Sequence, residues 1–348
     1  MTDPQYFDTL GMWEATAGFP EQATLAMTTT AQVLDGTAVP RSEQIDSVAL
    51  LGMGAGATAA EAVAAHAAAS AAVPFWVGNG YEAPAFVGAR TLVFALSGSG
   101  DAEETRAAAS TALDQGARVV VVSGAGALSD LAVDAELPRF AIPPDLPASR
   151  TALSSLMVPV LMTLAKVGVI PDVVRELEEA VAFVGRRRDA LVLAHSAPEE
   201  VARLIGRTIP LVYGSSGVTA TAARRWKTQI NENAKTPAFF AVLPELSHNE
   251  VAGWGQHGDV TRQVLSLVTL RHGGEHPHVA RRFELVVDAT DEVMANVIAV
   301  WTEGENDLAR FFDLALFGDL VSLHMAGREG TDPGPVPARS IVETALRG

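Results

Sequence analysis

From Ile45 onward, short apolar runs alternate with alanine-rich stretches that favour helix. VALLGMG (48–54) predicts a buried strand running into a glycine turn, and GATAAEAVAAHAAASAA predicts the helix after it. TLVFALSGSG (91–100) predicts a second strand and loop, followed by a helix over EETRAAASTALDQG that stops at Gly116. ARVVVVSG (117–124) predicts a third strand. TALSSLMVPVLMTLAKVGV (151–169) predicts a long apolar helix ending before Pro171, and residues 172–195 predict an amphipathic, charge-laced helix. The rhythm then restarts, with strands over 209–217, 237–246, 264–272 and 282–290. Strand, small-residue loop and helix in repeated order predict parallel βαβ units, so the expected fold is α/β with two doubly wound parallel sheets. The expected organisation is a helical lead-in over 1–44, a first domain over 45–171, a linking helix over 172–195 and a second domain over 196–348.

Composition narrows the chemistry. Forty-eight per cent hydrophobic residues and 19% charged residues suit a packed core across 348 positions. Cysteine is absent, which removes disulfides, thiolate nucleophiles and cysteine-based metal centres, and suits a cytoplasmic location. A formal charge of −16 disfavours nucleic acid and anionic membrane surfaces as partners. The opening MTDPQYFDTL carries no apolar signal region, and no stretch approaches the ~18–20 apolar residues of a membrane span.

Doubly wound folds bind ligands beyond the carboxyl ends of their strands, so the loops carry the candidate chemistry. GMGAGATAAE (52–61) fails the dinucleotide spacing because position 57 is alanine, and no cofactor or metal is expected. In LSGSGDAEET (96–105), Ser97 and Ser99 supply hydroxyls ahead of a helix expected to begin near Ala102, an arrangement that can cradle phosphate. The same residues also fit a capping box, with Asp101 as N-cap and Glu104 at the third position. In RRWKTQINENAK (224–235), Arg225, Thr228 or Gln229, Glu232 and Lys235 share a polar helical stripe. A solvated face with a Glu232–Lys235 ion pair is the plainer reading of that stripe. ELSHNE (245–250) sets His248 among acids and amides just past a strand.

Together these motifs resemble the bifunctional phosphoglucose/phosphomannose isomerases of the sugar isomerase (SIS) domain superfamily, over roughly residues 46 to 336. GMGAGA is similar to that family's GMGGSA, SGSGDAEET to SYSGNTEET, and DPGPV (332–336) to DPxPV. RRWKTQINENAKTPAF followed by PELSHNE is the most specific match. The resemblance implies two SIS domains, a sugar-phosphate substrate, and a homodimer with a shared active site. Glu232 would shuttle the proton between C1 and C2, Arg150 would stabilise the enediolate, and His248 of a neighbouring subunit would open the sugar ring. Gly54, Ala55, Gly56, Ser97, Ser99 and Ala102 would line the substrate phosphate. The implied reaction interconverts glucose 6-phosphate or mannose 6-phosphate with fructose 6-phosphate. Departures from the pattern leave two alternatives open: a non-catalytic sugar-phosphate-binding protein, or an isomerase of another sugar derivative. The family serine is Gly56, the asparagine and threonine of SGNT are Asp101 and Ala102, and Glu343 or Arg347 falls where a C-terminal lysine is expected.

Overall fold

A computed structural model describes residues 7–347 of the chain, with side chains through residue 346. Two helices precede the first sheet: α1 (Met12–Ala17) and α2 (Phe19–Gly36). Then follow β1 (Ser47–Gly52), α3 (Ala55–Ala67), β2 (Phe75–Gly78), β3 (Thr91–Ser97), α4 (Glu103–Asp114), β4 (Arg118–Ser123), α5 (Ala127–Asp134), β5 (Arg139–Ala141), α6 (Leu153–Val167) and α7 (Val174–Leu191). The second sheet region comprises α8 (Ala197–Ile205), β6 (Ile209–Ser215), α9 (Val218–Asn233), β7 (Phe239–Leu243), α10 (Gly258–Val264), β8 (Leu265–His272), α11 (Pro277–Thr290), β9 (Asn296–Thr302), α12 (Asp307–Arg328) and α13 (Pro337–Arg347). The chain divides into two compact units: one runs from Gly18 to Ala182, the other joins the segment up to Ala17 with the chain from Phe183 onward.

In the first unit the sheet order is β2-β1-β3-β4-β5 and every pairing is parallel. All seven residues of β3 are buried, as a strand covered on both faces requires. Val93 and Ala95 face Ala108, Ala109 and Ala112 of α4 and Leu128 and Ala132 of α5. The opposite face is covered by α3 and α6. Alanine dominates the α4 contact because small side chains let the helix lie close to the strands.

The second unit has a four-stranded parallel sheet in the order β7-β6-β8-β9. One face packs Leu211, Tyr213 and Leu267 against Phe283 and Val286 of α11. The other face carries α8, α9 and the long α12, whose residues from Leu308 to Ala326 are almost all buried. Residues 282–290, expected as a strand, are the C-terminal part of α11. The buried positions Phe283, Val286 and Thr290 recur at helical spacing, and Leu285 is half exposed, so the apolar pair Val286–Val287 misled the period. The strand of that region is β9, whose burial alternates from Ile298 to Thr302.

Two histidines of the second unit are held toward the neutral ring, His324 buried and His272 half-buried. His324 on α12 meets the Trp13 ring edge-on at 4.9 Å, and burial holds its pKa below the usual imidazole value despite the Glu199 carboxylate. His272 is lowered likewise by burial and then by Arg310. The unfolded chain binds these protons near pH ~6.5 and the folded chain only at lower pH. Their contribution to stability is therefore full above about pH 6.5 and falls as pH drops below it. Replacing His324 with glutamine should flatten that fall by up to ~1.4 kcal/mol per pH unit. Urea midpoints at about pH 7.5 and 5.5 check this; equal slopes for wild type and H324Q would contradict it.

Candidate active site

In the first sheet, strand order reverses at β1, so the crevice between the carboxyl ends of β1 and β3 is the topological switch point. The loop carrying Gly54 follows β1 and the loop carrying Ser97 and Ser99 follows β3. Gly54 takes a left-handed backbone (φ 53°) and lies exposed ahead of Ala55, the first residue of α3. Gly56 is different. It is buried in the first turn of α3, where a Cβ would lie 2.3 Å from the Leu96 carbonyl oxygen. The residue is glycine because helix and strand backbones touch there, so the family serine has no room in this packing.

The Ser97 loop is tightly specified. The Ser97 hydroxyl accepts from Gly100 N at 3.0 Å and the Ser99 hydroxyl from Asp101 N at 3.2 Å. Ser97 is buried and Ser99 exposed. Gly98 lies against the turn Ser149–Thr151: a Cβ on it would fall 2.7 Å from Ser149 Cβ. This contact brings Arg150, only 6% exposed, beside the serine loop. Ala102, not Asp101, is the N-cap of α4, and it offers no side-chain cap. The Asp101 carboxylate instead accepts from Ala127 N at 3.3 Å, at the start of α5. The capping box is thus replaced by a cap on the neighbouring helix. The carboxylate that replaces asparagine bonds to α5, and no side chain caps the amino end of α4, whose first turn holds Glu103 and Glu104.

The second unit holds the other two candidates. Glu232 lies in the last turn of α9. The polar stripe of α9 divides: Arg225 and Gln229 are each 2% exposed, while Glu232 is half-buried and Lys235 exposed, and Asn233 beside the stripe is fully buried. Arg225 grips Asp319 of α12 through two bonds of 2.9 and 2.6 Å, and Asn233 donates to Ser322 at 2.9 Å. Trp226 donates to the Leu314 carbonyl at 2.7 Å, and its ring occupies the space over Gly318. Lys235 donates to the main-chain carbonyls of Glu232 and Pro333. Arg339 of α13 lies 3.8 Å from the Glu232 carboxylate and 3.0 Å from Glu343. Glu343 and Arg347 fall where the resemblance expects a C-terminal lysine; Arg339, one turn before Glu343, is a cation that reaches Glu232. The side chain of Arg347 lies outside the described residues.

His248 ends a short turn, Glu245–His248, just past β7, and is exposed. Six residues carry the chain from Asn233 into the amino end of β7, so Glu232 sits at the amino edge of this sheet. His248, five residues beyond Leu243, sits at the carboxyl edge. Fourteen residues of α9 separate Val218, which starts at the carboxyl edge, from Glu232, a rise of about 21 Å. The structure therefore brings Ser97, Ser99, Ala102 and Arg150 around one crevice, and keeps Glu232 and His248 of one unit apart. A further partner of the His248 segment escaped sequence reasoning. Tyr213, buried in β6, donates its hydroxyl to the Glu250 carboxylate. Burial first, then Glu250, pushes that phenol far above its usual range, so it remains a donor. The continuous apolar run of β6, buried on both faces, is the sequence signal for an inward tyrosine.

This architecture of two parallel sheets, each with its loops at the carboxyl edge, is that of sugar isomerase domain proteins. The C-terminal domain of glucosamine-fructose-6-phosphate aminotransferase from Francisella tularensis superposes with a TM-score of 0.70 at 15% identity, covering 93% of this chain and 98% of its own. The family model described as the bacterial phospho-glucose isomerase C-terminal SIS domain matches residues 194–341. A bifunctional phosphoglucose/phosphomannose isomerase from Caldicellulosiruptor bescii is 33% identical over 312 residues, 88% of this chain and 91% of the relative. One from Aquifex aeolicus is 32% identical over 79% of this chain and 82% of its own length. The chain belongs to the bifunctional phosphoglucose/phosphomannose isomerase family.

The packing at Gly56 makes a direct test of the altered first loop. Gly56→Ser should cost about 1–3 kcal/mol, the usual range for overpacking a close backbone contact. Thermal unfolding checks this, and an unchanged midpoint would show that α3 and β3 separate freely at this point.

Proposed function

We propose that this protein is an aldose–ketose isomerase, interconverting glucose 6-phosphate and mannose 6-phosphate with fructose 6-phosphate through an enediol. The similarity to isomerases over most of the chain supports catalysis, and the placement of Asp101 supports a phosphate-bearing substrate. A phosphate dianion needs donors, and a carboxylate capping the amides at the start of α4 would have claimed them. With Asp101 turned to α5, the Ser97 and Ser99 hydroxyls and the amides leading into α4, at Ala102, can take the phosphate. Gly54 and Ala55 bring the amides of the α3 start to the same crevice, with Gly56 as the close-packing residue behind them.

Arg150, held beside this loop, then serves as the cation for the developing enediolate oxygen. Glu232 is the base that removes the proton from one of C1 and C2 and returns it to the other. Its carboxylate is the only one in the matched NENAK segment, and a positioned carboxylate suits this transfer. His248 donates a proton to the ring oxygen as the C–O bond of the hemiacetal breaks, while the anomeric hydroxyl loses its proton to water. A six-carbon sugar cannot reach both ends of the ~21 Å rise along α9. That separation supports a homodimer in which His248 completes the site of the partner subunit. The division into a first SIS domain over 45–171 and a second over 196–348, joined by the helix of 172–195, belongs to the same proposal. No helix among the described residues is long and apolar enough to cross a membrane. With a cysteine-free chain, this supports a cytoplasmic place.

Glu232→Gln should retain sugar-phosphate affinity and lose ~10²–10⁴-fold in turnover. Mixing that variant with His248→Ala, with subunit exchange verified by mass, should restore part of the activity through hybrid dimers. Unchanged turnover in E232Q would remove the base from the mechanism. Verified hybrids without activity would contradict the shared site.

A further inference from the structure

The segment that carries His248 has an architecture the isomerase reading leaves unused. It consists of two single helical turns, Glu245–His248 and Glu250–Gly253, hinged at Asn249. Segments this short have little intrinsic stability, so other contacts must fix their orientation. Asn249 ties the two turns together: its amide donates to Glu245 at 3.0 Å, and its side-chain oxygen accepts from Glu250 N at 2.6 Å. Leu246 is buried against the α11 face, and Arg282 of α11 donates to the Ser247 hydroxyl. A polar tether to the sheet itself is the bond from Tyr213 to Glu250. Tyr213 is 1% exposed and paired with Ala241 on one side and Thr269 on the other. His248 itself lies exposed, two residues from Glu250.

We propose that Glu250, anchored by Tyr213, is the positioning residue that fixes His248 for ring opening. The inference rests on the assignment of His248 to that step. A partly buried carboxylate is costly unless bonded, and here its bond runs from the sheet to the hinge beside the imidazole. Loss of the tether would leave the fold intact and let the two turns swing about Asn249. An error of about 1 Å in a reacting group can cost 10²-fold in rate. Neither Tyr213 nor Glu250 need touch substrate.

The test isolates ring opening from proton transfer. In an E232Q background the enediol step is removed, while ring opening and closing still exchange the α and β anomers of glucose 6-phosphate. Two-dimensional exchange NMR reads that rate above the protein-free background. Adding Y213F or E250A should lower the exchange ~10–100-fold, with sugar-phosphate affinity and thermal midpoint close to the parent. Adding E250Q, whose amide oxygen still accepts from the tyrosine, should preserve most of the exchange. If E250A does not fold, slow exchange in Y213F beside near-normal exchange in E250Q supports the proposal equally. Parental rates in Y213F and E250A, with exchange abolished by H248A, would overturn the positioning role and leave the isomerase reading standing. Parental exchange in H248A would remove His248 from ring opening and overturn the positioning role with it.

Discussion

The buried ion pair between Arg225 and Asp319 is the contact on which the second unit is arranged. Two helices, α9 and α12, meet along a seam that is polar at its centre: a two-bond guanidinium–carboxylate grip, an amide to a hydroxyl, and an indole N–H to a carbonyl. Apolar residues could fill the same volume at equal or better stability, but removing one member of such a pair costs ~3–5 kcal/mol. Directional bonds also fix rotation and translation along the seam, which apolar packing does loosely. Glu232 lies two turns beyond Arg225 on the same helix, so its placement is set by bonds it does not make.

That constraint has a functional consequence. With α9 fixed along the sheet, the candidate base sits at the amino edge and the candidate ring-opening histidine at the carboxyl edge. The proposed chemistry requires acid and base on one sugar, so a second subunit enters the account from geometry within one unit. In the first unit the logic is local. Glycines at 56 and 98 let backbones touch, and those contacts gather two serines and a buried arginine around the switch point.

Much of this was legible along the chain. The parallel plan followed from the repeated strand, loop and helix, because strands covered on both faces read as continuous apolar runs. Residues 282–290 were misread because burial on one helical face can present as a short β-like run when valines are adjacent. The burial of Arg225 and Gln229 within the polar stripe of α9 is not legible in sequence, because local spacing cannot reveal that Asp319, ninety-four positions away, waits opposite Arg225. The fate of the Asp101 carboxylate depended on Ala127 for the same reason. The candidate reacting residues were recognisable from motif context. The residues that hold them, Tyr213, Asp319 and Arg339, were not, since their roles arise only from contacts across the fold.

The central claim, enediol chemistry on a six-carbon sugar phosphate, is tested most directly by incubating the protein with fructose 6-phosphate in deuterated water. Proton and deuterium NMR of the products reads both identity and position of label. The account predicts glucose 6-phosphate and mannose 6-phosphate together, with solvent deuterium at C2. Fructose 6-phosphate that binds yet stays unconverted, with no deuterium entering at C1, would contradict it.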